Sequence, residues 1–363
     1  LTKVIFHFKK DQLILFFKLN FMNKIRIAIN GFGRIGRCIA RALIEEQMEG
    51  RLLNIELVAI NGPATLEQHA HLLEFDSVHG KFKGNVSYDE NSIIINSRKI
   101  KLFREKEILN LPWKELEIDV VMECTGFFTS KFLAASHIKS GAKKVIISAP
   151  ATEKDVKTIV YGVNHKILTK EDDVISIGSC TTNCLAPIAK VLNDNFKVVK
   201  GFMTTIHSYT GDQNILDASH KGDLRRARAA ALSMVPTSTG AAKALGLVLP
   251  ELAGKLDGSS IRVPTPNVSV VDLCVLLEQT VSPETVNEAL KSASENEMKG
   301  VLGFETKPLV SCDFNHSPLS SIIDSKETRV TQENFARVLS WYDNEWGFSC
   351  RMLEVALYLK NLT

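Results

Sequence analysis

The chain has 363 residues, too many for one ordinary core and enough for two domains, and its 45% apolar content is normal for a globular protein. Its formal net charge of +3 is carried by residues 1–21, where Lys3, Lys9, Lys10 and Lys18 face only Asp11. The remainder is neutral, which excludes a broad field for nucleic acid or an anionic membrane and leaves only local anion sites.

Residues 1–21 mix basic and apolar residues as a targeting segment does, but no small-residue cleavage site precedes Met22. They read as a non-native or disordered leader ahead of a start at Met22. No later run offers the ~18 apolar residues of a membrane span. The seven cysteines, Cys38, Cys124, Cys180, Cys184, Cys274, Cys312 and Cys350, are odd in number and show no paired spacing. A reducing cytoplasm is the compartment this implies.

From Lys24 to Asn30, Ile25, Ile27 and Ile29 alternate as in a strand; glycines follow, then a helical pattern from Arg34 to Met48. Further strands are expected at Ile55 to Ile60, Ile118 to Glu123 and Lys144 to Ser148. Strands alternating with helices predict an α/β fold with a doubly wound parallel sheet. The turn Gly31-Phe32-Gly33-Arg34-Ile35-Gly36 fits the G-x-G-x-x-G fingerprint of a dinucleotide site in its proper strand-to-helix context. Gly31 makes the turn, Gly33 admits the pyrophosphate and Gly36 lets helix and strand close up. The carboxylate that selects NAD at the end of the second strand is missing, because Gly62 stands there. An adenosine 2′-phosphate then meets no repulsion, so NADP use alone or beside NAD is expected.

After the strand Val174 to Ile177 comes Ser179-Cys180-Thr181-Thr182-Asn183-Cys184, opening a helix from Thr181 to Asn193. A thiol at a helix N-terminus favours the thiolate, so Cys180 is the expected nucleophile and Cys184, one turn on, an interior packing residue. Metal ligation by the pair lacks a second Cys/His pair, and two plain core cysteines is the remaining alternative. The strand Met203 to Ile206 delivers His207 as a candidate base, expected to return to the same sheet edge by a right-handed crossover. On its own such a residue is more often a satisfied structural histidine than a base. The rest mixes strands at Val199 to Thr205, Ser269 to Glu278 and Leu309 to Cys312 with a helix at Pro283 to Ser294, the texture of an α+β domain. Ser208 to Pro236 is a long charged loop, and a last helix at about Glu345 to Lys360 is expected to pack back on the first domain.

The segments INGFGRIGR (Ile29 to Arg37), SCTTNCLAP (Ser179 to Pro187), HSYTGDQ (His207 to Gln213), RRARAAA (Arg225 to Ala231), PTSTGAAK (Pro236 to Lys243), RVPTPNVSVVD (Arg262 to Asp272) and WYDNEWG (Trp341 to Gly347) resemble the glyceraldehyde-3-phosphate dehydrogenase family. The resemblance runs in order from Met22 to the C-terminus. It implies a Rossmann-type domain, 22–179 plus 344–363, a catalytic domain, 180–343, and a homotetramer. It implies that Cys180 attacks an aldehyde with His207 as base, and that the resulting thioester is cleaved by inorganic phosphate. Arg262, Thr210 and Asp212 match the family's site for the substrate phosphate; Arg226, Thr239, Gly240, Ser179 and Thr181 match that for the attacking phosphate. Cofactor contacts carry over as Arg34 and Ile35 at the pyrophosphate, Ser148 and Asn344 at the nicotinamide amide and Arg104 at the adenine. No metal is implied.

The chain departs from the family pattern at Gly62 and at Ala218-Ser219, where NAD-specific members carry a bulkier residue and Pro; both changes favour a 2′-phosphate. Phe348 in place of Tyr and Gly178 in place of Ala remove no catalytic group. Two other functions compete: erythrose-4-phosphate dehydrogenase, which hydrolyses the thioester with water, and a binding or adhesion role that would leave Cys180 unreactive.

Overall fold

The computed structural model describes residues 24–153 and 155–362, so the expectation for the leader lies outside the described residues. In the first half, β1 (Ile25–Asn30) runs into α1 (Arg34–Met48), β2 (Ile55–Asn61) and α2 (Leu66–Glu74). Three short strands follow, β3 (Val86–Tyr88), β4 (Ser92–Ile95) and β5 (Arg98–Phe103), then β6 (Val120–Glu123), β7 (Lys144–Ile147) and β8 (Val174–Ser176). They form one sheet of order β8-β7-β6-β1-β2-β5-β4-β3. The six strands from β8 to β5 are parallel, and β4 and β3 extend the edge antiparallel.

This is the expected doubly wound sheet, with its strand order reversing on either side of β1. Its central strands β8, β7, β6, β1 and β2 are buried at nearly every position because helices cover both faces. Reading residues 62–117 as polar or helical missed the antiparallel extension, whose strands are only three and four residues long. The strand expected from Ile118 begins two residues later: Ile118 donates its N–H to the Trp113 carbonyl and closes a turn.

The second half opens with α3 (Cys180–Phe196), followed by β9 (Val198–Ser208), β10 (Val235–Ser238), α4 (Ala241–Val248), β11 (Leu256–Val263) and β12 (Ser269–Leu277). After α5 (Pro283–Glu295) come β13 (Leu302–Glu305), β14 (Ser321–Asp324), β15 (Arg329–Thr331), β16 (Phe335–Tyr342) and α6 (Trp346–Lys360). The sheet is mixed, in the order β10-β11-β9-β12-β16-β14-β13, with β15 on the outer side of β16. His207 on β9 therefore does not return to the sheet edge of β8, as the expected crossover had it; β9 lies in the second sheet. The expected strand Leu309 to Cys312 is also absent. The Asp313 carboxylate accepts the Val310 N–H at 2.8 Å and winds Ser311–Phe314 into a 3-10 turn, a local side-chain bond outcompeting a ladder.

Two apolar clusters hold the halves. One joins β1, β2 and α1 to Met352, Leu353, Val355, Ala356 and Leu359 of α6, so the last helix packs on the first sheet as expected. The other buries Cys184, Leu185, Ile188 and Leu192 of α3 against the second sheet. Cys184 is fully buried beside Ser321 and Ser340, a packing position. Helix α3 thus leaves the C-terminal end of β8 and lies on the second sheet, with its N-terminus between the two.

Candidate active site

The fingerprint glycines meet the demands expected of each. Gly31 has φ +95, and a Cβ there would lie 2.6 Å from the Thr125 nitrogen. A Cβ on Gly36 would sit 2.3 Å from the Gly31 carbonyl oxygen, so α1 approaches β1 closely only with glycine. Gly33 faces open space, the room a pyrophosphate needs over the helix N-terminus. Beneath the turn lies a buried knot: Asn61 Nδ2 donates to Asn30 Oδ1 at 2.7 Å, Asn30 Nδ2 to Glu123 at 2.6 Å, and Trp113 Nε1 to His137 Nδ1 at 2.9 Å. That last bond puts the His137 proton on Nε2, facing Glu123 at 3.1 Å. The ends of β1, β2 and β6 are so fixed at the point where strand order reverses, where a doubly wound sheet binds its ligand.

Above the knot opens a cavity of about 900 Å³ lined by Gly31, Gly33, Gly62, His69, Arg104 and Thr125 among others. The side chain of Arg34 turns away from it. It is ion-paired to Asp76 and Glu345, which leaves Arg34 and Ile35 to offer backbone N–H groups. Ser148 donates its N–H to the Glu123 carbonyl at the end of β7. Asn344 accepts both the Ser208 and Ser269 hydroxyls at 2.9 Å through Oδ1, leaving its amide N–H groups for a ligand.

Cys180 is the first residue of α3, with Ser179 as N-cap: the Ser179 hydroxyl accepts the Thr182 N–H at 3.1 Å. The Asn183 side chain donates to the carbonyls of Ile177 and Ser179, locking the turn that presents the thiol. Cys180 Sγ lies 3.5 Å from His207 Nε2. The two candidate residues therefore meet across the sheets.

Burial pushes the Cys180 thiol above its ordinary value, while Arg262 and the N–H groups at the start of α3 pull it down. Burial, then Arg262, pushes His207 down to about 3. At neutral pH the ring is uncharged, the state a base requires. His207 Nδ1 lies 2.8 Å from both the Ser208 carbonyl oxygen and Arg262 Nη1. With Arg262 donating to Nδ1, the ring proton sits on Nε2; with Arg262 drawn off, Nδ1–H donates to Ser208 and Nε2 offers its lone pair to the thiol.

Tyr342 is a site residue that sequence reasoning missed. Its hydroxyl lies 2.9 Å from Thr181 Oγ1 and 2.8 Å from Thr205 Oγ1, and the His207 ring stands edge-on to it. This ties the nucleophile's helix to the base's strand. The Thr181 hydroxyl is thereby engaged, leaving its backbone N–H near the thiol. WYDNEWG held the residue, but a tyrosine 161 positions from Thr181 carries no local signal.

Arg262, an anion-binding candidate, touches this pair through His207. Arg226 donates Nη1 to Asp212 at 2.7 Å and Nε to Thr237 Oγ1 at 2.9 Å, joining residues assigned to the two phosphate sites. Thr239 and Gly240 lead into α4, and Thr239 Oγ1 accepts the Ala241 N–H at 3.2 Å. Thr210 is half-buried just beyond β9. Ala218 and Ser219 lie exposed, with Ile215, Leu216, Leu224, Leu232 and Met234 nearby in sequence and largely exposed.

Two family profiles match this sequence: "Glyceraldehyde 3-phosphate dehydrogenase, NAD binding domain" over residues 25–131 and "Glyceraldehyde 3-phosphate dehydrogenase, C-terminal domain" over residues 179–344. Among curated proteins, the chain is 57% identical over 338 residues to the glyceraldehyde-3-phosphate dehydrogenase of Xanthobacter flavus, covering 93% of this chain and 99% of that one. It is 56% identical to that of Cereibacter sphaeroides with the same coverage. It is 52% identical to glyceraldehyde-3-phosphate dehydrogenase 1 of Bacillus subtilis, covering 92% and 98%.

Proposed function

The chain belongs to the glyceraldehyde-3-phosphate dehydrogenase family, and from that premise we propose that Cys180 and His207 carry out its aldehyde oxidation and that the cofactor site admits NADP as well as NAD. The family is one of NAD-dependent oxidoreductases acting on the aldehyde group, and the relatives' names support glyceraldehyde 3-phosphate rather than erythrose 4-phosphate as substrate. The single observation that carries the residue roles is the 3.5 Å approach of a helix-capping thiol to an uncharged buried imidazole.

His207 Nε2 takes the Cys180 proton, and the thiolate adds to the aldehyde carbon. N–H groups at the start of α3 face the oxygen that becomes negative, which the imidazolium then protonates to a hemithioacetal. When bound, the nicotinamide of a dinucleotide held at Gly31, Gly33, Ser148 and Asn344 would supply the acceptor for the hydride of that carbon. As the hydride leaves, His207 removes the hydroxyl proton, the carbonyl re-forms and Cys180 holds a thioester. A phosphate oxygen attacks that carbon, the C–S bond breaks, and the acyl phosphate departs with Cys180 again a thiolate.

Arg262, with Thr210 and Asp212, receives the substrate's phosphate. A dianion there draws Arg262 off His207 Nδ1, so substrate binding itself favours the tautomer that accepts the thiol proton. Arg226, Thr239, Gly240 and the N–H groups of Ser179 and Thr181 receive the attacking phosphate. Gly31, Gly33 and Gly36, the N–H groups of Arg34 and Ile35, Ser148, Asn344 and Arg104 hold the dinucleotide.

The working unit is a homotetramer, supported by the exposed apolar residues of 215–234. The dinucleotide domain is 22–179 with 344–363, and the catalytic domain 180–343. No helix among the described residues is long and apolar enough to cross a membrane, and all seven cysteines are free, which supports a cytoplasmic protein.

The experiment is oxidation of glyceraldehyde 3-phosphate with NAD and with NADP, each with and without inorganic phosphate. Sustained turnover that requires phosphate is expected with both cofactors. Turnover indifferent to phosphate, or NADP more than ~1000-fold worse in kcat/KM, would remove the corresponding part of the proposal.

A further inference from the structure

Gly62 directly follows β2, where an acidic residue would grip the adenosine ribose, and the structure shows what stands in place of that carboxylate. A Cβ on Gly62 would lie 2.8 Å from His69 Nε2 and 3.1 Å from its Cε1. The imidazole of His69, on α2, thus occupies the space an aspartate side chain would need. A carboxylate at 62 and a histidine at 69 exclude one another in this backbone.

His69 is 4% exposed, and neither ring nitrogen has a partner that meets hydrogen-bond geometry, although the Gly62 backbone lies close to the ring. The ring is steadied edge-on by Phe32, with centroids 5.4 Å apart, and lines the 900 Å³ cavity. A buried polar group left so costs free energy that a ligand recovers. The neighbouring groups say which ligand. Arg37 lines the same cavity with its buried Nε unpartnered, and Arg104 and Lys106 line it from the segment after β5. The cavity's carboxylate, Glu105, is turned back onto the N–H of Glu107 at 2.9 Å. The lining therefore offers donors and cations and withholds the acceptor that ribose hydroxyls want.

We propose that His69, with Arg37 beside it, forms the seat for the 2′-phosphate of NADP and is the residue that sets cofactor preference in this protein. The inference rests on the NADP reading above and deepens it: Gly62 removes a repulsion and makes room, and His69 supplies the attraction. One ring N–H and the Arg37 Nε–H reach a phosphate oxygen each, and Arg104 and Lys106 supply charge.

The test is calorimetric titration of the full chain with 5′-AMP and with adenosine 2′,5′-bisphosphate, in the parent, His69→Ala and His69→Gln. The readout is the ratio of the two dissociation constants within each protein, which general damage to the fold leaves unmoved. In the parent, the 2′-phosphorylated nucleotide is expected to bind at least as tightly as 5′-AMP. His69→Ala should lower its relative affinity about tenfold or more, as for loss of a hydrogen bond to a charged group, and His69→Gln, which keeps an N–H donor, should recover part of it. A ratio equal in parent and His69→Ala overturns the role of His69 while leaving NADP use standing. A parent that binds 5′-AMP roughly 100-fold better overturns the NADP reading itself. If His69→Ala does not fold, His69→Phe, which keeps a ring without an N–H, takes its place: a ratio lowered about tenfold supports the proposal, and a ratio equal to the parent's overturns it.

Discussion

Replacing His207 with Asn removes the proton acceptor 3.5 Å from Cys180 Sγ while keeping a polar side chain of similar reach. What remains is a thiol whose pKa burial has raised above its ordinary 9.0. With no acceptor beside it to take that proton, the chemical step should fall by at least ~100-fold, within the span usual for loss of a general base. The deficit should also depend on pH in a particular way. Hydroxide does for the variant what His207 does for the parent, so its rate should climb about tenfold per pH unit from pH 6 to near 9, while the parent's changes little. Iodoacetamide alkylation of Cys180, followed by mass spectrometry from pH 5.5 to 9.5, reads the thiolate without any cofactor or substrate. A His207→Asn protein alkylated as fast as the parent at pH 6.5 would refute the reasoning.

Arg226→Ala removes a guanidinium that holds Asp212 and Thr237, and should raise the KM for inorganic phosphate about tenfold or more while sparing the first hydride burst; stopped-flow absorbance of the reduced nicotinamide separates the two steps. Gly36→Ala drives a Cβ to 2.3 Å from the Gly31 carbonyl and should cost about 1–3 kcal/mol of stability, measurable as a lower denaturant midpoint. His207 has its folded pKa pushed down from 6.5 to about 3, so its contribution to stability is complete above pH 6.5 and is lost as pH falls toward 3. At pH 4.5 that loss should reach about 2–3 kcal/mol, and the Tm of His207→Asn should decline less steeply than the parent's over that window.

The sequence made plain whatever physical chemistry writes locally. Glycines spaced for a phosphate turn, isoleucines alternating into β1 and a cysteine at the mouth of a helix each announced their structure within a dozen residues. Contacts made across the chain were out of reach. Nothing local places Tyr342 between Thr181 and Thr205, or sets the Arg262 guanidinium against Nδ1 of His207. The crossover expected for His207 failed for a related reason: strand periodicity says that β9 exists but not which sheet recruits it. His69 was silent because a lone histidine on a helix usually means nothing. Only the glycine it crowds, seven residues earlier and on another element, gives it one.

The central claim is that Cys180 carries the substrate as a thioester between hydride loss and phosphate attack. Mixing the protein with glyceraldehyde 3-phosphate and NAD in the absence of phosphate, and reading reduced nicotinamide together with the mass of Cys180, tests it directly. One hydride per active site with an acyl group on Cys180, and neither in Cys180→Ser, is the predicted result. A Cys180→Ser protein that produces the same burst would contradict it.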